Sequence, residues 1–284
     1  MSLVTMTEML ATARDDKYAV GAFNIVDYNS ALAVVRTAER LKAPVIVQTS
    51  VKTVYFWSAG TIASWMKEIA GGSPVPVALH LDHCKELNVI RTCIDAGWTS
   101  VMIDASAKPF AENLATTKLV VELAESAGVS VEAEMGRIVG VEDDIFVAEQ
   151  DSHLADPDEA ITFCEGLNLA AFAPAIGTAH GVYKGEPKIA FDRLEEIARR
   201  TGVPIALHGG TGLADDVFRR AISLGAAKVN ISTAIKYVFI DGFVDYHTEH
   251  GQYEPLKPLG AQYERLEQVI SRNISLFGGK GKAA

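Results

Sequence analysis

Short apolar runs alternate with longer amphipathic stretches along almost the whole chain. The runs fall at residues 19–24, 44–50, 75–82, 99–104, 129–134, 169–175, 204–208 and 227–232, and their apolar positions are continuous rather than alternating. A strand reads this way when helices cover both faces of a parallel sheet, so the pattern predicts buried parallel strands. Between them, residues 29–42 carry Ala31, Leu32, Val34, Val35, Ala38 and Leu41 at helical spacing. The same periodicity marks 85–96, 110–127, 156–166, 191–200, 214–224 and 234–250. Gly97, Gly128, Gly202 and Gly225 stand between a helix and the next strand, where a helix C-terminus favours glycine. Eight right-handed strand and helix units in 284 residues, with no linker, predict a single α/β domain over 1–284, a (β/α)8 TIM barrel. A doubly wound open sheet is the alternative.

Three segments depart from the repeat. Residues 5–17 predict a leading amphipathic helix with Thr5 or Thr7 as N-cap. Residues 135–153 are too long for an ordinary connection and hold Gly136, Gly140 and the acidic run Glu142, Asp143 and Asp144, which predicts a mobile active-site loop. Residues 252–277 predict an extended stretch and an extra C-terminal helix, followed by a disordered tail at 278–284.

Composition narrows the function classes. A formal net charge of −10 argues against nucleic acid as a partner, because affinity for a phosphate backbone comes from Lys and Arg. No apolar run approaches the roughly 18 residues of a membrane span, and the N-terminus lacks a signal-peptide pattern, so a soluble cytoplasmic protein is expected. Cys84, Cys93 and Cys164 are odd in number and without paired spacing, which fits reduced thiols.

The candidate chemistry lies where strands end, as in TIM barrels generally. Three runs close on a histidine: VALHLDH on His83, AIGTAHG on His180 and IALHGGT on His208. Three imidazoles converging with a fourth position open make a catalytic zinc arrangement. Cys84 is a rival ligand, disfavoured because neighbours on an extended segment face opposite ways. His80, in mid-strand, and His247 and His250, on a polar helix, are read as structural. Asn24, Ser50, Asp82, Asp104, Glu132, Glu134, Asn230 and Ser232 also stand at or just past strand ends. The Gly209 and Gly210 N–H groups can approach an oxyanion closely, and the turn Asn230, Ile231, Ser232 and Thr233 opens the eighth helix. Together they predict a phosphate cradle, with Lys184 as an added charge.

The blocks GAFN, HLDH, SVMIDAS, VEAEMG, EDD, IGTAHGVYKGEP, LHGGTGL and KVNIST occur in the order seen in class II, metal-dependent ketose-bisphosphate aldolases. Over nearly its whole length the chain resembles that family, most closely the branch of fructose- and tagatose-bisphosphate aldolases. The resemblance implies one catalytic zinc on His83, His180 and His208, with a monovalent cation as a further candidate. It also implies Asp82 as general acid/base and Glu142 as the group handling the proton on the nucleophilic carbon. Gly181, the run Gly209, Gly210 and Thr211, and the run Asn230 to Thr233 would hold dihydroxyacetone phosphate. Glu132 and Glu134 would orient histidines or serve an alternate metal position, and Asp104 is either such a support or structural. A homodimer or homotetramer is expected.

The chemistry agrees with these roles, since cleaving a carbon–carbon bond beside a ketone leaves an enediolate for which zinc is an electron sink. One departure stands out. The bisphosphate-cleaving members carry Asp-Pro-Arg before the final helix, and that arginine reaches the distal phosphate. This sequence has Glu254, Pro255 and Leu256 instead. Either Lys257, Arg265 or another cation takes over, or the substrate is a ketose 1-phosphate. Two other classes compete. A zinc hydrolase on a barrel usually begins with His-x-His at the first strand end, where this chain has Phe23 and Asn24. A non-catalytic sugar-phosphate-binding subunit would have lost a ligand or Asp82, and none is lost.

Overall fold

The computed structural model describes residues 3–142, 145–147, 153–181, 183 and 187–283, with the backbone alone at 139–142 and 145–147. In chain order the elements are α1 (Met6–Asp15), β1 (Val20–Asn24), α2 (Tyr28–Leu41), β2 (Val45–Thr49), α3 (Val51–Trp57), α4 (Ala59–Ala70), β3 (Val77–Cys84), α5 (Leu87–Asp95), β4 (Ser100–Ile103), α6 (Phe110–Ser126) and β5 (Ser130–Met135). They continue with β6 (Val139–Glu142), β7 (Ile145–Val147), α7 (Pro157–Cys164), β8 (Ala171–Pro174), β9 (Ala179–His180), α8 (Phe191–Thr201), β10 (Ile205–Leu207), α9 (Asp215–Ser223), β11 (Ala226–Ile231), α10 (Thr233–His250) and α11 (Leu256–Leu276). Eight strands close a barrel in the order β1-β11-β10-β8-β5-β4-β3-β2, every pair parallel. This is the TIM barrel, and its closure excludes the open sheet.

Burial explains the continuous apolar runs. Alternate strand residues pack outward against the helices, as Val45, Val47, Leu79, Leu81, Val101 and Ile103 do. The inward positions form a second cluster in which Val20, Ala22, Ile46, Ala78, Ala171, Ala173 and Ala206 meet Met6, Met9 and Leu10 of α1. Helix α1 therefore plugs the end of the barrel where the strands begin, and the Val4 N–H reaches the carbonyl of Val77. Its N-cap is Thr5, without a side-chain capping bond. Small interior alanines leave room higher up for the polar residues described below. Gly97, Gly128, Gly202 and Gly225 all take positive φ, as residues that turn out of a helix must.

Three expectations are corrected. Within the stretch expected to be a loop, β6 runs antiparallel to β7 and parallel to β9. No helix was assigned between the second and third strands, yet α3 and α4 lie there, broken at Ser58, whose φ of 72° turns the chain and whose Oγ accepts from the Thr61 N–H. The tail at 278–283, expected to be disordered, is held down. Gly281 and Ala283 donate to the carbonyls of Leu41 and Lys42, and Lys282 pairs with Asp16 and lies over the Tyr18 ring. Among the described residues no helix is long and apolar enough to cross a membrane.

Candidate active site

The site begins with an irregularity in β3. Successive residues of a strand face opposite sides, so Asp82 and His83 should not both reach the barrel mouth. The β3–β4 register shifts between Leu81 and Cys84, and His83 takes φ 47°, a left-handed conformation rare outside glycine. The bulge re-aims His83, so two consecutive side chains serve one site. Strain of this kind costs about 1–3 kcal/mol and persists where the surroundings enforce it.

His83, His180 and His208 each offer a ring nitrogen within 4.8 Å of the others. They come from β3, from the short β9 in the three-stranded side sheet, and from the end of β10. Nδ1 of His83 faces Asp104 at 3.4 Å, and Nε2 of His208 faces Glu132 at 2.7 Å. Both outer nitrogens thus look at carboxylates that accept hydrogens, which leaves the inner nitrogens bare in neutral rings. Those inner atoms, His83 Nε2 and His208 Nδ1, lie 2.9 Å apart. Two facing lone pairs at that separation repel unless a cation lies between them, so the donor set fits a zinc ion.

The surroundings bias the ionisation of the carboxylates around the trio in opposite directions. Burial opposes ionisation of Glu132, but Lys228 and His208 outweigh it and hold the carboxyl well below its usual range. Burial likewise opposes ionisation of Asp104, and hydrogen bonds from His83 and Ser106 reverse the balance, leaving it well below the ordinary value. Glu134 goes the other way, pushed well up by burial and by the charge of Asp104. It sits 3.8 Å from His83 and 3.6 Å from His208.

Asp82 is clamped by three amides. Asn24 Nδ2 donates to Oδ2 at 3.0 Å, Gln48 Nε2 to the same oxygen at 3.1 Å, and Asn230 Nδ2 to Oδ1 at 3.2 Å. Three adjoining strands supply the donors, since Asn24 is in register with Gln48 and Asn230 with Ala22. Among the described residues, buried Gln48 Oε1, Asn230 Oδ1 and Ser232 Oγ have no hydrogen-bonding partner.

Beside this cluster runs the glycine segment. A Cβ on Gly209, whose φ is 67°, would lie 2.5 Å from the Ala179 carbonyl oxygen, and one on Gly210 would lie 2.8 Å from that of Asn230. Only glycines let the segment pass between β9 and β11. Thr211 Oγ1 accepts from the Ala234 N–H in the first turn of α10, whose N-cap Ser232 makes no side-chain capping bond. Thr233 begins α10, while the Ile231 side chain turns into the outer core against Gly210 and leaves only main chain for a ligand. Gly181 takes φ 86°, and Ser50 stands at the N-cap of α3 without a side-chain capping bond, its hydroxyl 3.5 Å from that of Thr53. Glu142 ends β6 with its side chain outside the described residues, and Lys184 lies outside them altogether.

Gln48, Lys228 and Tyr183 join the site without being predicted by the sequence pattern. Gln48 and Lys228 each stand two residues before a strand-end polar residue, Ser50 and Asn230, and that spacing is the signal that points to them. Tyr183 ties β9 to the glycine segment, its hydroxyl taking the Ala179 N–H at 3.0 Å and donating to the Gly209 carbonyl at 2.8 Å. His80, expected to be structural, is buried with Nδ1 2.8 Å from Ser100 Oγ.

Cys84 turns away from the histidines to contact Glu86. Burial pushes its thiol up to about 11, and those of Cys93 and Cys164 to about 12. A thiol reagent at neutral pH is expected to label none of the three in the folded protein and all three in denaturant. Rapid labelling of Cys84 in the native state would restore it as a site residue.

The family model for class-II fructose-bisphosphate aldolase matches residues 4–282. The fructose-bisphosphate aldolase of Staphylococcus aureus is 41% identical over 287 residues, covering 100% of both chains. The sulfofructosephosphate aldolase of Alkalicoccus urumqiensis is 36% identical, covering 100% of this chain and 99% of its own. Among solved structures, the YdjI aldolase of Escherichia coli K12 superposes with a TM-score of 0.88 at 31% identity, over 99% of this chain and 100% of that one. Matched from end to end in sequence and in fold, the chain belongs to the class-II fructose-bisphosphate aldolase family, whose members are lyases.

Proposed function

We propose that the chain is a zinc-dependent aldolase that reversibly cleaves a ketose 1,6-bisphosphate of fructose or tagatose type, or a ketose 1-phosphate, to dihydroxyacetone phosphate and an aldehyde. The observation that carries this reading is the convergence of His83, His180 and His208 beside the clamped Asp82 at the barrel mouth. One zinc held by the three histidines would polarise the ketone and take up the electron pair released by cleavage. Asp82 removes the proton from the hydroxyl next to the breaking bond and returns it in condensation, its carboxylate oriented by Asn24, Gln48 and Asn230. The Gly209 to Thr211 segment and the N-terminus of α10 receive the phosphate through main-chain N–H groups. The amide oxygens of Gln48 and Asn230 and the Ser232 hydroxyl, without partners among the described residues, support a substrate bearing hydroxyl groups at the site. Gly181 and Lys184 complete that subsite, Ser50 borders it, and Glu142 handles the proton on the nucleophilic carbon. Glu132, Glu134 and Asp104 hold the histidines. A homo-oligomer fits the exposed Tyr55 and Phe56 of α3 and Tyr237, Ile240 and Val244 of α10. The test is a panel of ketose phosphates assayed for triose phosphate release. Release of inorganic phosphate with no aldehyde formed would replace the lyase reading with a hydrolase.

The second product follows from Leu256. It opens α11 at 73% exposure, and Arg265 is engaged with Asp245 at 2.6 Å. A leucine cannot supply the charge-assisted contact an arginine makes to phosphate, and Lys257 offers only a flexible point charge. The name of the sulfofructosephosphate relative contains a single phosphate, which supports variation at the distal end. We expect ketose 1-phosphates to match or exceed the 1,6-bisphosphates in kcat/KM, with Leu256→Arg shifting the preference to bisphosphates. A bisphosphate preference above about a hundredfold, roughly 2.7 kcal/mol, would overturn this. Its loss in Lys257→Ala would identify the replacement cation.

A further inference from the structure

The barrel interior holds a buried lysine to which the proposed reaction gives no part. Lys228 of β11 is 0% exposed, and its Nζ lies 2.8 Å from Oε2 of Glu132, close but not aligned as a hydrogen bond. Its strand neighbours in register are Val20 and Ala206. An ammonium is costly to bury and persists only beside a counter-charge, so its place here calls for an explanation beyond packing.

The other oxygen of Glu132 supplies it. Oε1 faces Nε2 of His208 at 2.7 Å, while Oε2 faces Lys228 and, at 3.6 Å, Nε2 of His80. Ser100 Oγ lies 2.8 Å from His80 Nδ1 and 3.3 Å from the Ser130 carbonyl, and His80 Nε2, 3.6 Å from Oε2, makes no hydrogen bond to Glu132. Lys228 is left as the group that fixes this carboxylate.

We propose that Lys228 is a positioning residue that sets the tautomer of His208: it holds Glu132 by Oε2, turns Oε1 onto His208 Nε2–H, and leaves Nδ1 bare toward His83. The proposal rests on the zinc reading only for what the bare nitrogen serves.

Glu132→Gln makes it testable, because an amide has one acceptor and one donor end. With Lys228 present, the ammonium claims the amide oxygen and the NH2 faces His208, which must then accept at Nε2 and carry its proton on Nδ1, where the ligand atom should be. With Lys228→Met added, the amide can turn, its NH2 toward His80 and its oxygen back to His208. Nitrogen-15 NMR of histidine-labelled, metal-free protein should show Nε2–H at His208 in the wild type, Nδ1–H in Glu132→Gln, and Nε2–H again in the double variant. Zn2+ titrated against a competing chelator should bind about 10–100-fold more weakly to Glu132→Gln, and the second substitution should recover about tenfold.

A purely structural lysine would lower the melting temperature of the double variant without restoring tautomer or affinity, and that result overturns the proposal. If Glu132→Gln does not fold, the double variant is compared with the wild type, and an Nδ1–H ring in it overturns the proposal equally. A wild type with the Nε2–H ring that takes up no zinc would sink the zinc reading and leave the assignment to Lys228 standing.

Discussion

Metal-stripped protein is expected to lose aldol cleavage completely and to regain it with Zn2+ or Co2+. The reason is visible in the histidine trio. His83 and His208 turn their outer nitrogens to Asp104 and Glu132 and bring their inner nitrogens to 2.9 Å. That geometry is unfavourable for neutral rings alone and favourable around a dication. The buried lysine beside the site, Lys228, is paired with Glu132. Binding should register in stability as well. A ligand at about a thousand times its Kd adds about 4 kcal/mol to unfolding, so the melting temperature should rise on reconstitution, and substitution of His208 by alanine should cancel the rise. Full activity in protein shown by elemental analysis to be metal-free would falsify the zinc assignment.

The barrel was legible because each of its strands is buried on both faces and so reads as an unbroken apolar run. Expected and observed strand bounds agree within about two residues, the usual uncertainty of an element end. What escaped depends on contacts between distant segments. The β6–β7 ladder is completed by pairing with β9, some forty residues on, and nothing local in 135–153 announces that partner. The tail is ordered by α2 and Tyr18, which lie far away in sequence. Strand-end histidines were readable because barrels place chemistry there. Gln48 and Lys228 were not singled out, because only the closed barrel shows that their faces point inward at the level of Asp82 and Glu132. Nor does sequence spacing reveal the bulge that brings Asp82 and His83 to the same side; in a regular strand one of them would have been lost to the outer face.

Replacing Asp82 by alanine is expected to lower kcat for cleavage by roughly two to four decades while zinc stays bound. The carboxylate lies next to a proposed zinc ligand in sequence, yet its recorded hydrogen bonds run to Asn24, Gln48 and Asn230, whereas His83 is held by Asp104. Asp82 is therefore not what orients the ligand, and its removal should act on proton transfer before metal affinity. The substitution also strands three buried amide donors, each costing about 1–3 kcal/mol if nothing replaces the acceptor, so a lower melting temperature is part of the expectation. Formate separates the two effects. It is small enough for the space a carboxylate vacates and restores an acceptor and a base together, so it should raise both the melting temperature and the cleavage rate of Asp82→Ala, while leaving the wild type unchanged. Glu142→Ala gives the complementary result, suppressed proton exchange at the nucleophilic carbon of dihydroxyacetone phosphate with formate having no effect. Zinc lost in step with activity in Asp82→Ala would mean that the residue works through His83; wild-type cleavage with zinc retained would remove it from the reaction altogether.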